Sequence, residues 1–264
     1  MAIQAKHIAV AGVTGRLGNL IASYLLKFPN TIVHGFTRSP EKVPGSLSAD
    51  TDRFKLFTGS AEKLQDVRKA LAGCETVICA YNTAVDNKFM VDAQKVLIEA
   101  CDAEGVSRYF ASDYTGYYPR LEPGDLPIKD PMIKIYKYIR DGNFSGTVRV
   151  KPVHILAGAF IEAFLFFFFK LDDAKYWGTG NETWDFSSYE TIAKYTAHVA
   201  VDEEAPTGIL KFRDFQSNTN SIVRAIQTLK NRSITLKYQG SLEEAKQEVE
   251  IAKKNGTFLQ NVLV

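Results

Sequence analysis

The chain has 264 residues, which suits one large domain or two small ones, and 45% of the residues are hydrophobic and 23% charged. This is the composition of a globular protein, and it excludes a disordered or collagen-like chain. The 32 basic and 30 acidic residues give a net charge of only +2, which favours a small-molecule partner over nucleic acid or an anionic membrane.

The first half of the chain alternates between short β-rich segments and longer segments of helical period. The predicted strands are residues 7–11, 31–37, 54–57, 76–80, 109–111 and 153–157. The predicted helices between them are residues 17–28, 61–71, 86–104 and 132–141. Such an alternation predicts an α/β protein with the doubly wound parallel sheet of the Rossmann fold.

The alternation stops after residue 157. Residues 1–157 are predicted to form the Rossmann domain, and a helix at 188–201 is predicted to pack back on it. Residues 158–187 and 202–264 are predicted to form a smaller, discontinuous C-terminal region that binds substrate. In the latter segment, Ser241 and Glu244 have the spacing of a capping box at the start of a final helix.

Cys74, Cys79 and Cys101 are an odd number of cysteines without Cys-x-x-Cys spacing, so we expect neither disulfides nor a metal site. The first residues lack the apolar stretch of a secretory signal, and we therefore expect a cytoplasmic protein. The most apolar segment, residues 163–169, is far shorter than the roughly 20 residues that cross a bilayer.

A glycine motif directly follows the first predicted strand and opens a helix. Gly12 allows a tight turn, Gly15 allows close approach to a pyrophosphate, and Gly18 allows the helix to approach the strand. The amides at the start of the helix then bind the phosphates. The predicted pyrophosphate-binding residues are Gly12, Thr14, Gly15, Arg16, Leu17 and Gly18.

The end of the second predicted strand selects the dinucleotide. A carboxylate there would bind the ribose hydroxyls of NAD, whereas this chain has Arg38 and Ser39, with Lys42 one turn further on. A guanidinium pairs with a 2′-phosphate in a charge-assisted contact. The sequence therefore predicts NADP(H).

Residues that follow the other strands are expected at the same edge of the sheet. The additional cofactor-binding candidates are Tyr81, Asn82, Ala111, Ser112, Gly158, Ala159 and Phe160. Asp113 and Tyr114 are candidates for orienting substrate, and turn or strand-capping roles remain the alternative for all of these positions. His154 lies inside a predicted strand, where a hydrogen-bonded core histidine is the favoured interpretation.

Several motifs follow one another along the chain: GVTGRLG at 12–18, FASDY at 110–114, KDPM at 129–132, HILAGAF at 154–160 and YWGTG at 176–180. With them the chain resembles the NmrA-like, atypical short-chain dehydrogenases/reductases, close to isoflavone-reductase-like enzymes of fungal type. The resemblance implies an NADPH-dependent reductase that acts on a C=C, C=N or C=O bond of an apolar, polycyclic small molecule. It also implies a role in fungal secondary metabolism such as alkaloid biosynthesis.

No tyrosine is followed by lysine at the Tyr-x-x-x-Lys spacing of classical short-chain dehydrogenases. The resemblance implies instead a lysine acid/base in the helix after the fifth strand. Counting back without gaps from Ala157 and Gly158 places Lys134 at that position, and a short gap would exchange it for Lys137. The alternative is that both are solvated charges on an exposed helix face.

Six phenylalanines between residues 160 and 169, with Trp177 and Trp184 nearby, fit either an apolar substrate pocket or core. Two further functions remain open. One is an NmrA-type redox sensor that binds NADP(H) and a protein partner without turnover. The other is a ring-forming enzyme, a cyclase or cycloaddition catalyst, that uses the NADP-bound pocket.

Overall fold

The computed structural model describes residues 5–82, 87–169, 173–231 and 233–254. Its strands are β1 Lys6–Ala11, β2 Thr31–Thr37, β3 Phe54–Thr58, β4 Thr76–Cys79, β5 Arg108–Phe110, β6 Lys151–Leu156, β7 Ala159–Phe160, β8 Asp173–Trp177, β9 Trp184–Ser187, β10 Gly208–Lys211, β11 Phe215–Ser217 and β12 Thr235–Gly240. Its helices are α1 Arg16–Leu25, α2 Gly45–Ser48, α3 Leu64–Leu71, α4 Asn87–Glu104, α5 Asp130–Ser145, α6 Ile161–Phe169, α7 Tyr189–Val201, α8 Thr219–Lys230 and α9 Leu242–Lys254. Short 3-10 helices cover Pro40–Lys42 and Pro127–Lys129.

The chain divides into two compact units, each made of two segments. The first unit is Met1–Leu156 with Tyr189–Phe212, and the second is Ala157–Ser188 with Arg213–Val264. Residues 202–212, placed by the sequence in the substrate region, belong to the first unit because β10 pairs in parallel with β6.

The first unit contains a seven-stranded sheet in the order β10-β6-β5-β4-β1-β2-β3, in which every neighbouring pair is parallel. The order reverses at β1, since the chain builds β2 and β3 on one side and then crosses to β4 on the other. In such a sheet the ligand crevice lies at the carboxyl ends of the two strands that flank the reversal. The predicted α/β class and Rossmann topology are confirmed.

The central strands are short apolar runs because helices cover both faces of the sheet. Val10 and Ala11 in β1 and Val77, Ile78 and Cys79 in β4 are fully buried. Helix α7 packs against α1, and Tyr24 of α1 donates a hydrogen bond of 2.6 Å to Glu190 of α7. The core of the first unit therefore holds the carboxyl ends of β1 and β4 in fixed positions.

The second unit has a three-stranded sheet, β11-β9-β7, and a parallel pair, β12-β8. In the former, Phe186 is fully buried, stacks on Phe215 and meets the edge of Phe164. The predicted capping box opens α9, where the Glu244 amide donates to Ser241 Oγ and the Ser241 amide to Glu244 Oε2. No helix in the described part of the chain is long and apolar enough to cross a membrane.

Candidate functional site

The loop after β1 takes a course that requires glycine. Gly12 has φ +85°, and a Cβ there would lie 2.8 Å from the carbonyl oxygen of Ala80. The amides of Gly12 and Val13 both donate to the carbonyl oxygen of Phe36, at 3.0 and 3.4 Å, which ties the loop to β2. The chain therefore turns sharply at the reversal point of the sheet.

Helix α1 begins immediately after this turn. Its N-cap residue is Gly15, which has no side chain to accept from the first amides, and the first turn has no acidic residue. A Cβ on Gly18 would lie 2.3 Å from the carbonyl oxygen of Gly12, so the first turn of the helix is packed on the loop. Gly15 and Arg16 are exposed whereas Leu17 is buried. The helix start is thus open to an anion, as a pyrophosphate site requires.

Thr37, the last residue of β2, joins the two predicted cofactor segments. Its Oγ1 lies 3.0 Å from Thr14 Oγ1 and accepts from the Ser39 amide at 3.1 Å. Arg38 follows Thr37 directly and is exposed, as is Lys42 in the short 3-10 helix. The sequence analysis missed Thr37, although its place at the end of the predicted strand was a usable signal.

The ends of β4 and β5 are held together by the next set of predicted residues. The buried Ser112 hydroxyl donates to the carbonyl oxygen of Tyr81 at 2.6 Å, and Ala111 is buried beside it. The Tyr81 ring lies close to Gly12, while Asn82 is exposed. Ala111 and Ser112 therefore hold the segment after β5 against the segment after β4.

Asp113, which follows β5, and His154, which lies inside β6, form a buried pair. Asp113 Oδ2 and His154 Nδ1 are 2.6 Å apart, and the two side chains are 2% and 3% exposed. A carboxylate only accepts, so an Nδ1–H of His154 donates to it. The Tyr136 ring meets the His154 ring edge to face, and Tyr118 meets Tyr136 in the same way. His154 is thus the hydrogen-bonded core histidine expected from the sequence.

Lys129 contacts the chain segment that follows Asp113. It ends the 3-10 helix Pro127–Lys129, and its Nζ donates to Thr115 Oγ1. Burial lowers the pKa of Lys129 to about 8, and the negative charge of Asp113 opposes part of that effect. A lysine with a pKa near neutrality can exchange protons at physiological pH, which an ordinary surface lysine does poorly.

The other two candidate lysines are placed differently on α5. Lys134 is exposed, and the Nζ of Lys137 donates to the carboxylate of Glu122. Their catalytic roles stay predictions. Lys129 was not a candidate in the sequence analysis, because counting back from Ala157 and Gly158 allowed at most a short gap, although the KDPM motif had already marked the segment.

Tyr114 has a left-handed backbone conformation, with φ +41°, and its side chain is only 4% exposed. Burial raises the pKa of Tyr114 far above its ordinary value, so the phenol keeps its proton. The geometry places its ring in the core of the first unit. A left-handed tyrosine costs on the order of 1–3 kcal/mol, which fits the tight turn that carries Asp113.

Gly158, Ala159 and Phe160 belong to the second unit. Gly158 has φ +75°, and a Cβ there would lie 2.3 Å from the carbonyl oxygen of Asp185. The cofactor-binding role of Gly158, Ala159 and Phe160 stays a prediction. The Phe-rich segment forms helix α6, in which Phe166 is 58% exposed; the side chains of residues 167–169 lie outside the described ones. No described group of three or more His, Cys, Asp or Glu side chains could hold a metal ion.

Comparison with known proteins adds the following. Residues 12–142 match the model of a family described as NAD(P)H-binding. Isoeugenol synthase 1 of Clarkia breweri is 23% identical over 222 residues, which are 79% of this chain and 67% of that protein. A solved isoflavone reductase is 18% identical with a TM-score of 0.75, over 94% of this chain and 82% of its own. AtPrR2 with NADP+ and (+)-pinoresinol is 19% identical with a TM-score of 0.73, over 91% and 80%.

The match over residues 12–142 covers the glycine loop, Arg38 and the Asp113 segment. It confirms the predicted nicotinamide-dinucleotide cofactor, NAD(P)H. The likeness to the solved reductases confirms the fold.

Proposed function

We propose that this chain is an NADPH-dependent reductase that saturates a polarised C=C, C=N or C=O bond of an apolar small molecule. One observation carries the proposal. The hydroxyls of Thr14 and Thr37 lie within hydrogen-bond distance, and this contact ties the open start of α1 to the end of β2, which Arg38 follows. A pyrophosphate on the first element and a 2′-phosphate on the second are what NADPH presents. The names of the similar proteins, an isoeugenol synthase, an isoflavone reductase and a protein solved with pinoresinol, support an apolar substrate.

The residues present fit NADPH better than NADH. The exposed guanidinium of Arg38 and the hydroxyl of Ser39 occupy the place where a carboxylate would bind the ribose of NAD. Lys42 adds a second exposed cation four residues later. The amides at the start of α1 would hold the pyrophosphate.

NADPH, when bound, supplies the hydride and leaves as NADP+. Lys129 supplies the proton: its ammonium donates from Nζ to the atom that becomes electron-rich as hydride arrives, and solvent then restores the ammonium. With a pKa near 8, Lys129 is mostly protonated at neutral pH, yet it is a stronger acid than an ordinary lysine. Hydride and proton together account for the two hydrogens added to the double bond.

The cofactor assignment is tested by calorimetry with NADPH and NADH. We expect Arg38→Gln to weaken NADPH binding about 10- to 100-fold while leaving NADH binding unchanged, because only the 2′-phosphate loses its charged partner. Arg149→Gln is the matched control, since Arg149 is also exposed but lies before β6, at the opposite edge of the sheet. Equal affinity of the native protein for both cofactors would contradict the choice of NADP.

The reaction is tested by following NADPH oxidation with a panel of α,β-unsaturated carbonyl and imine compounds. We expect Lys129→Gln to lower kcat about 100-fold or more without changing NADPH affinity, because the proton donor is lost and the dinucleotide site is intact. Lys134→Gln and Lys137→Gln decide among the three lysines, and the exposed Lys95 on α4 is the neutral control. NADPH binding without turnover on the panel, together with NADP-dependent capture of a protein, would favour the sensor.

A further inference from the structure

The hydroxyl of Thr37 contacts two chain segments at the carboxyl end of β2. Thr37 is the last residue of this strand and is 5% exposed. Its Oγ1 accepts a hydrogen bond of 3.1 Å from the amide of Ser39 and lies 3.0 Å from Oγ1 of Thr14. The first contact closes a local turn, whereas the second joins residues 23 positions apart in the sequence. The Thr37 side chain therefore links the segment after β2 to the loop after β1.

The sheet fixes the position of this hydroxyl. The carbonyl oxygen of Thr37 accepts from the amide of Gly59, which follows β3, at 3.1 Å. The carbonyl oxygen of Phe36 accepts from the amides of Gly12 and Val13 in the loop after β1. Because threonine is branched at Cβ, its side chain also has few rotamers open to it. Thr37 Oγ1 is thus a fixed point against which its two less buried partners are held.

A hydroxyl has one proton and two lone pairs, so Thr37 can accept from Ser39 while it donates to Thr14. In that orientation the proton of the Thr14 hydroxyl is left for an acceptor outside the pair. Thr14 is half-buried and directly precedes the exposed Gly15, the N-cap residue of α1. A phosphate oxygen at this helix start would be a charged acceptor, and such an acceptor strengthens a chain of hydrogen bonds.

The other end of this chain of hydrogen bonds holds the segment that contains Arg38. Arg38 is exposed and lies between the buried Thr37 and the half-buried Ser39. The bond from the Ser39 amide to Thr37 therefore fixes the backbone on both sides of Arg38, while the Arg38 side chain stays open to solvent. A cation on a fixed backbone loses less conformational entropy when it binds an anion than a cation on a mobile one.

We propose that Thr37 is a positioning residue that determines specificity for NADPH. Its single hydroxyl holds Thr14 for the pyrophosphate and the Arg38–Ser39 segment for the 2′-phosphate. The inference rests on the proposed function, which assigns the two phosphate groups to these two segments. Thr37 acts through its hydrogen-bond partners and touches neither phosphate, so the two halves of the cofactor site are coupled through it.

Calorimetry on the full-length protein with NADPH and with NADH tests the proposal and needs no substrate. Thr37→Val removes the hydroxyl and keeps the shape of the side chain. It is expected to weaken NADPH binding about 10-fold and NADH binding about 3-fold, because NADH depends only on the Thr14 half of the link. Thr37→Ser keeps the hydroxyl and is expected to retain the native ratio of affinities. Thr31→Val is the matched control, since Thr31 begins the same strand and is 2% exposed.

A double-mutant cycle between Thr37→Val and Thr14→Val tests the coupling. The double variant is expected to bind NADPH no more weakly than Thr37→Val alone, because the two hydroxyls act as one chain. Near-ultraviolet circular dichroism checks that each variant is folded. Thr14→Val breaks the same contact at a half-buried position, so the proposal stays testable if Thr37→Val does not fold. Native-like NADPH affinity in Thr14→Val would overturn it.

A lower ratio of NADPH to NADH affinity in Thr37→Val, with the native ratio in Thr37→Ser and in Thr31→Val, supports the proposal. An unchanged ratio in Thr37→Val overturns it, as does an equal loss in Thr37→Ser or additive effects in the double variant. If the ratio falls as expected but no compound of the panel oxidises NADPH, the reductase proposal fails and the role of Thr37 stands. Equal affinity of the native protein for the two cofactors would refute the choice of NADP and, with it, the role of Thr37.

Discussion

Gly18 shows how a single position fixes the spacing of the cofactor motif. A Cβ there would be 2.3 Å from the carbonyl oxygen of Gly12, and that oxygen is backbone, which cannot swing aside. The first turn of α1 therefore touches the loop after β1 only if position 18 has no side chain. This contact points the helix start at the reversal of the sheet.

Gly18→Ala should lower the free energy of unfolding by about 1–3 kcal/mol, because the helix must move off the loop. NADPH affinity should fall as well, since the same movement displaces the amides that hold the pyrophosphate. Gly45→Ala is the matched control, because a Cβ on Gly45 meets nothing within 4 Å. Urea unfolding with calorimetry on both variants measures the two effects. A Gly18→Ala protein as stable as Gly45→Ala would show that the loop is not packed as described.

Whether a residue of the site could be predicted depends on how local its sequence signal is. The glycines and Arg38 are local signals, since each depends on its distance along the chain from a strand end. Lys129 depends on a fold-back of residues 113–129 that brings its amine to Thr115, which no spacing records. The pairing of Asp113 with His154 joins residues 41 positions apart, although their places on two consecutive predicted strands offered a hint.

At the level of elements, β1 to β6 could be predicted because continuous apolar runs are typical of strands covered on both faces. β10 was missed, since Gly208–Lys211 is a short edge strand whose residues are only half-buried or exposed. The start of α5 was placed two residues late, after Pro131. Proline is tolerated in the first turn of a helix, and α5 begins at Asp130.

Gln94 links helix α4 to β5 and to the segment that follows β5. It lies in α4 and is 1% exposed, and its Oε1 accepts from the Tyr109 hydroxyl at 2.9 Å and from the Ser112 amide at 3.0 Å. One side chain therefore satisfies two buried donors at the end of β5. The segment that carries Asp113 starts from this point.

Gln94→Leu should destabilise the protein by about 2–6 kcal/mol, because two buried donors lose their acceptor and each costs roughly 1–3 kcal/mol. Tyr109→Phe is the comparison, since it removes one donor together with its bond and should cost only about 1 kcal/mol. Chemical denaturation of both variants gives the difference. If the two substitutions cost the same, the Ser112 amide has another acceptor and Gln94 is not the link.

For the whole molecule, the two units differ in what they bury. The chain passes from one unit to the other after Leu156, Ser188 and Phe212, so each unit is built from separate stretches of sequence. The three cysteines and His34 are all buried in the first unit. Ionisable groups that the native state keeps neutral make its stability depend on pH at both ends of the range.

His34 makes the free energy of unfolding depend on pH in the acid range. Burial lowers the pKa of His34, and its ring nitrogens contact the carbonyl oxygen of Ala70, His7 and Cys74. Below about pH 6.5 His34 binds a proton in the unfolded chain but stays neutral in the native protein. The free energy of unfolding therefore falls with decreasing pH, by up to about 1.4 kcal/mol per pH unit. Urea unfolding from pH 5 to 7 should show this slope. It should flatten in His34→Gln and persist in His198→Gln, where the residue replaced is exposed.

The buried thiols make the free energy of unfolding depend on pH in the alkaline range. Burial raises the pKa of Cys74 and Cys79 from 9.0 to about 12, so above pH 9 the unfolded chain loses protons that the native thiols keep. Stability should therefore decrease from pH 9 to 11, by up to about 1.4 kcal/mol per pH unit for each thiol. Cys79→Ala should reduce that slope by about one thiol's share while lowering stability at pH 7 through the lost packing. An unchanged alkaline slope in Cys79→Ala would mean that this thiol already ionises in the native protein.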